Sequence, residues 1–182
     1  MAGRDIVGDA AAGRFIENLV GTFKPREQMN IEAMVNIACV RPEVSFEGYM
    51  AENYAEDYET MTEIPGEVLF AADSSIVTNF KNCCRGMVLL ETPANFDTRN
   101  ANNLAGMYYG CTSLPTAFPY IINCDSVPSI AGLAGIFEGS SVTFARFENV
   151  HGPMRFQMTK ANLGSQMERI IINGVLGAIK AS

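Results

Sequence analysis

The heptapeptide Leu104-Ala-Gly-Met-Tyr-Tyr-Gly110 returns 29 residues later as Leu133-Ala-Gly-Ile-Phe-Glu-Gly139, with Leu, Ala and both glycines in the same slots. Upstream, Phe80-Lys-Asn-Cys-Cys-Arg-Gly86 fills that slot 24 residues earlier. A second feature recurs in the same order: Met61-Thr-Glu-Ile-Pro65, Leu89-Leu-Glu-Thr-Pro93 and Leu114-Pro-Thr-Ala-Phe118, at shifts of 28 and 25. A unit of this length is too short to bury its own apolar face. Consecutive units must stack to make a continuous core, which is the condition for a solenoid.

The expected architecture is an α/β repeat of roughly four uneven units from about Phe46 to Val150. The Leu-x-x-x-Pro/Phe piece supplies a short strand on one face. The piece ending in aromatic-Gly supplies a helical or tight-turn return on the other. Asn and Gly at the corners tolerate unusual backbone angles. Chance similarity within an ordinary α+β domain is the alternative, and the shared order of the two features argues against it.

The flanks differ from the repeats. Asp9 caps an expected helix through about Val20, with Phe15, Leu19 and Phe23 on its apolar stripe and Gly21 ending it. Pro25 suits the first turn of a second helix from about Arg26 to Ala38. At the other end, Met154-Arg-Phe-Gln-Met158 alternates like an edge strand. Ser165 then reads as the N-cap of a helix bearing Met167, Ile170, Ile171, Gly174, Val175 and Ile179. The expected division is therefore a helical N-terminal cap or anchoring segment (1–42), a leucine-rich-repeat-like solenoid (43–150) and a strand-helix C-terminal cap (151–182).

The chain has 182 residues and a formal net charge of −7. Residues 1–75 hold 14 acidic and 5 basic side chains, and residues 76–182 hold 6 and 8. Nine acidic residues and no basic one lie between Glu43 and Asp73. Phosphate recognition needs the opposite sign, so nucleic acid is set aside as a partner. The acidic run, with Glu52 and Glu56 in its middle, reads as a solvated face or as a docking surface for a basic partner. No apolar run is long enough for membrane insertion. The opening residues Met1 to Asp9 carry an early acid and no apolar core of a secretory signal, so assembly in a cytoplasm is expected.

Little points to catalysis. The five cysteines have no Cys-x-x-Cys spacing and accompany a single histidine, His151, so buried thiols are expected rather than a metal centre. Ser140, Ser141 and the cysteines are the nucleophiles His151 could serve, and none sits in a nucleophile-elbow sequence. No phosphate-binding or dinucleotide-binding glycine pattern is present. The expectation is a protein without enzymatic activity, metal or cofactor. Phe137 repeats the slot of Tyr108, which favours a core ladder. Tyr109 shares the next slot with Glu138, and a mixed aromatic and charged slot points outward.

The stretch Asn95-Phe-Asp-Thr-Arg-Asn-Ala-Asn-Asn-Leu-Ala-Gly-Met-Tyr-Tyr-Gly-Cys-Thr-Ser-Leu114 resembles the repeat unit of BspA-like leucine-rich-repeat proteins, Asn-Phe-Asp-Thr-Ser-Asn-Val-Thr-Asn-Met-x-x-Met-Phe-x-Gly-Cys-x-Ser-Leu. The likeness covers roughly residues 45–150 and is degenerate around Met61, Leu89 and Val142. Arg99 and Ala101 depart from it, and Cys124-Asp-Ser-Val127 stretches its unit. Such repeats occur on bacteriophage structural proteins and on bacterial surface proteins, and strand-then-helix endings similar to the one expected here follow them in the phage proteins. The resemblance implies a virion structural protein: a capsid decoration, head or tail fibre, or receptor-binding component assembled in the host cytoplasm. Its partners would be other virion proteins, further copies of itself in a homo-oligomer, or a host-surface receptor or glycan. A bacterial cell-surface adhesin is the alternative. Phe15, Leu19, Phe23, Glu52, Glu56 and Tyr109 are the candidate contact residues.

Overall fold

The computed structural model describes residues 44–66, 68 and 77–182. The expected N-terminal helices, with Phe15, Leu19 and Phe23, lie outside the described residues. What is described is a mixed α/β arrangement with a four-stranded sheet, a two-stranded one and only short helices.

The chain runs in successive passes, each laid beside the last. The first holds β1 (Val44–Ser45), α1 (Tyr49–Asn53) and a 3-10 turn (Tyr58–Thr60); the second opens with β2 (Val77–Asn79), parallel to β1. Main-chain hydrogen bonds then join pass to pass. Phe46 N–H donates to Asn79 O at 2.7 Å, Phe80 to Asn103 at 2.8 Å, and Leu104 to Gly132 at 2.7 Å. Gly86 to Tyr109 and Gly110 to Glu138 repeat the relation six residues further on. The 24- and 29-residue spacings of the sequence are thus the spacings of this ladder.

Local chemistry explains the corners. Ser45 Oγ, Asn79 Oδ1 and Asn103 Oδ1 each accept the backbone N–H two residues on, at 3.3, 3.0 and 3.1 Å. These side chains mimic a backbone turn and start the return of each pass. The return ends at Gly86, Gly110 and Gly139, whose φ values of 79°, 73° and 68° are left-handed. They also lie one above another: a Cβ on Gly139 would stand 3.8 Å from the Cα of Gly110, and one on Gly110 would stand 3.9 Å from that of Gly86. The repeated glycine supplies a backbone angle that side chains resist and leaves room for neighbouring passes to close up.

Between the faces lies a ladder of rings. Phe46 stacks on Phe80, with centroids 5.9 Å apart. Tyr108 stacks on Phe137 at the same distance, and Phe118 tilts against both at 5.1 and 5.0 Å. Tyr108 is buried, and its hydroxyl donates to the Ala94 carbonyl at 3.2 Å, so this buried polar atom is satisfied. Leu90, Leu104, Leu133, Ile136 and Phe147 complete the core.

The other face carries β3 (Ala117–Asn123), β4 (Phe144–Glu148) and β5 (Arg169–Ile172), all parallel, and β6 (Val175–Ala178), antiparallel to β5. The β3–β4 register slips between Ala117 and Ile121, where Pro119 cannot donate to the ladder. Nearer the N-terminus, Glu63 pairs with Thr92 in the parallel sense. The sequence alignment set Glu63 opposite Glu91; the structure moves the register by one residue.

Two expectations for the C-terminus are corrected. Met154–Met158 is no strand. Residues Met154–Gln157 form a helical turn, α2, entered through Pro153 at φ −65°. Met154 and Met158 are buried and the three residues between them exposed, the spacing of a helix rather than a strand. A second short helix, α3 (Lys160–Leu163), follows, and Gly135 N–H bonds to its Asn162 carbonyl at 2.7 Å. Nor does Ser165 begin a helix. Residues 169–178 are the β5–β6 hairpin, turned at Asn173 (φ 49°) and Gly174 (φ 78°). Positive φ at both positions is the two-residue turn that Asn-Gly favours, and the β-branched run Ile170–Ile172 suits a strand. Because β5 pairs in register with β4, the sheet continues past residue 150 and the hairpin forms its last edge.

Candidate partner-binding surface

The expected contact residues fall in different places. Glu52, on α1, and Glu56, in the turn after it, are both exposed. The pass that bears Arg85 separates them from the pass that bears Tyr109, as the bonds Met50 to Cys83 and Cys84 to Met107 require. Tyr109 is 37% exposed. Its ring lies under Arg85, whose guanidinium carbon is 4.1 Å from the centroid. Next along the row, Glu138 accepts the Ser165 N–H and hydroxyl at 2.8 and 2.7 Å. Arg85, Tyr109 and Glu138 occupy equivalent slots of consecutive passes, so the row is outward-facing but largely engaged within the chain.

The groups weighed for chemistry are tied up in structural roles. Ser141 Oγ donates to the Leu114 carbonyl. Buried Ser140 accepts the Val142 N–H at 3.2 Å and the Gln166 amide at 3.2 Å. His151 is exposed and faces Asp125 at 3.3 Å. Among the described residues the cysteines Cys83, Cys84, Cys111 and Cys124 are free thiols, all buried. Burial pushes Cys111 and Cys124 up to about 12, away from the thiolate form that nucleophiles and metal ligands need. Among the described residues no three His, Cys, Asp or Glu side chains gather where they could hold a metal ion. No described helix is long and apolar enough to cross a membrane.

Among the described residues the most exposed large apolar side chains stand at the sheet's last edge. Phe156 on α2 is 75% exposed, and Val175 and Leu176 on β6 are 66% and 59% exposed. With Met158, Ile170 and Ile172 they line a hollow of about 290 Å³. Gly177 forms part of its wall, and a Cβ there would meet nothing within 4 Å. Arg155 and Lys180 stand at the rim, and no acidic side chain lines it. Among the described residues β6 pairs with β5 alone, and only the parallel bridge Thr159–Lys180 follows just past its end, so the outer main-chain groups of Val175–Ala178 are available to another strand. Three exposed large apolar side chains beside an open edge form a surface suited to strand addition.

Sequence reasoning missed this surface because it assigned Phe156 to a strand and Val175 to a helix face. Asn173-Gly174 was the signal that would have found it. No family model matches the chain, and no significant match is found among curated proteins or solved structures.

Proposed function

We propose that the chain is a short leucine-rich-repeat-like solenoid serving as a non-enzymatic structural component of a bacteriophage particle, acting through protein–protein contacts. The ladder of main-chain bonds at repeat spacing, joined to an apolar sheet edge left open at β6, is the observation that carries this reading. A stacked repeat has two ends. In a free monomer the last edge is normally blunted by charge, proline or a covering element. Here it carries Val175 and Leu176 beside Phe156, the composition of a surface that is covered in an assembly. The strand-helix ending expected from phage proteins is replaced by a hairpin, so the reading stands on the repeats and on the edge.

The test is location. Purified particles and envelope fractions from the same infected culture would be probed with antibody raised against the chain. Recovery on particles, at a fixed copy number by quantitative mass spectrometry, is the expected result. Recovery on the cell envelope alone would overturn the particle assignment in favour of an adhesin.

A further inference from the structure

We propose that the β6 edge binds the acidic first pass of a second copy of this chain, so that copies join head to tail. The inference rests on the proposed role as an assembly component and names the partner of that same surface.

Three observations point to this occupant. The first is charge. Residues 44–66 carry six acidic side chains and no basic one, whereas residues 151–182 carry Arg155, Lys160, Arg169 and Lys180 against the single acid Glu168. Arg155 and Lys180 are the charges on the hollow itself. Within the first pass Glu47 is already engaged by Lys81, at 2.7 Å. Glu52, Glu59 and Glu63 are exposed, and among the described residues Glu59 accepts the Tyr58 hydroxyl, at 3.2 Å. Charged rims of opposite sign select and orient partners more than they add affinity.

The second is backbone. Glu63 pairs in parallel with Thr92, and Thr62 O accepts the N–H groups of Glu91 and Thr92 at 2.8 and 3.0 Å. Among the described residues nothing pairs with the opposite side of this Thr62–Glu63 segment. Among the described residues one copy thus presents a strand edge at β6 and another at its first pass. The two differ, so joining them is heterologous and continues from copy to copy.

The third is apolar fit. Met61, half-buried in the first pass, lies next to that edge, and the hollow beneath Phe156 and Leu176 accepts an apolar side chain. Self-pairing of β6 about a two-fold axis would leave the acidic pass unused and bring the Arg155 and Lys180 surfaces of two copies to the same interface.

The experiment is sedimentation velocity on the full chain at low and high salt, with two charge-reversal variants, Arg155→Glu/Lys180→Glu and Glu59→Lys/Glu63→Lys. The wild type is expected to form species larger than a dimer at low salt that dissociate at high salt. Each variant alone should associate about tenfold more weakly or worse. The quadruple variant, with both reversals in one chain, should recover association, and that recovery also shows that the altered chains fold. A wild type that stays monomeric at every concentration overturns the inference. So does association that both reversals leave intact while Val175→Lys/Leu176→Lys abolishes it, the outcome for two-fold β6 pairing. Either result leaves the particle-labelling test untouched, so the two readings fail separately.

Discussion

Arg85 covers Tyr109: the guanidinium carbon stands 4.1 Å from the centre of the ring, across two consecutive passes of the chain. The pair joins neighbouring passes on the outer face, where no apolar core contributes. At an exposed site such a contact is worth about 0.5 to 1 kcal/mol. A double-mutant cycle of Arg85→Ala and Tyr109→Ala in urea denaturation should return a coupling energy in that range. A coupling indistinguishable from zero would leave the Tyr109 side chain with no role in joining the passes.

Gly110 makes a stronger demand. Its φ of 73° and its place over Gly86 leave an alanine Cβ both strained and in contact with the preceding pass. Gly110→Ala should cost about 1 to 2 kcal/mol, the price of a left-handed angle for a residue with a side chain. Gly177→Ala, where the added methyl meets open space, is the comparison and should shift the denaturation midpoint by little. Equal effects at the two positions would contradict the stacking of Gly86, Gly110 and Gly139.

These two cases show what a sequence of this kind discloses. The recurrence of Leu104 to Gly110 at Leu133 to Gly139 located the ladder, because the main-chain bonds Leu104 to Gly132 and Gly110 to Glu138 set these two segments side by side. It also located the Tyr108–Phe137 ring stack. Arg85 was within reach of the same logic: it precedes Gly86 as Tyr109 precedes Gly110. The C-terminal edge was not found, because Met167, Ile170, Ile171, Val175 and Ile179 satisfy a helical period as well as they fill a hairpin. Periodicity alone does not separate the two. Three consecutive isoleucines followed by Asn-Gly do, through backbone preference rather than pattern. The candidate surface was illegible for a further reason. Phe156 and Leu176 are far apart in sequence, and only the hairpin's return brings them to one hollow.

The buried thiols set a limit on alkaline stability. Burial raises Cys111 and Cys124 from the ordinary 9.0 to about 12. Both are protonated in either state below pH 9, so neither affects stability there. Between pH 9 and 12 the unfolded chain loses these protons while the folded chain keeps them, and unfolding is favoured by about 1.4 kcal/mol per pH unit for each thiol. Stability should therefore be flat through neutral pH and fall steeply above pH 9. In Cys111→Ala/Cys124→Ala the fall should be shallower, even though the two cavities lower stability at pH 7. Parallel alkaline slopes for the two proteins, measured by urea denaturation, would show that these thiols are not buried as described.

Asn173 has two jobs, and they can be separated. Its backbone takes the positive φ that begins the β5–β6 turn. Its side chain reaches the chain beyond β4, where Oδ1 accepts the Val150 N–H at 3.0 Å and Nδ2 donates to the Val150 carbonyl at 3.0 Å. Val150 is buried, so removing the amide strands both main-chain groups away from water. Asn173→Ala should cost about 2 kcal/mol or more, from the two unsatisfied groups together with the strained turn. Asn173→Gly keeps the turn and loses only the bonds, so it should recover the backbone share of that loss and no more. Asn173→Asp keeps the acceptor for the Val150 N–H but sets a carboxylate against the Val150 carbonyl, and should fall below wild type. Amide hydrogen exchange at Val150 reads the side-chain role directly. Its protection should drop in the Ala and Gly variants alike, and unchanged protection in Asn173→Gly would show that the turn alone holds the hairpin in place.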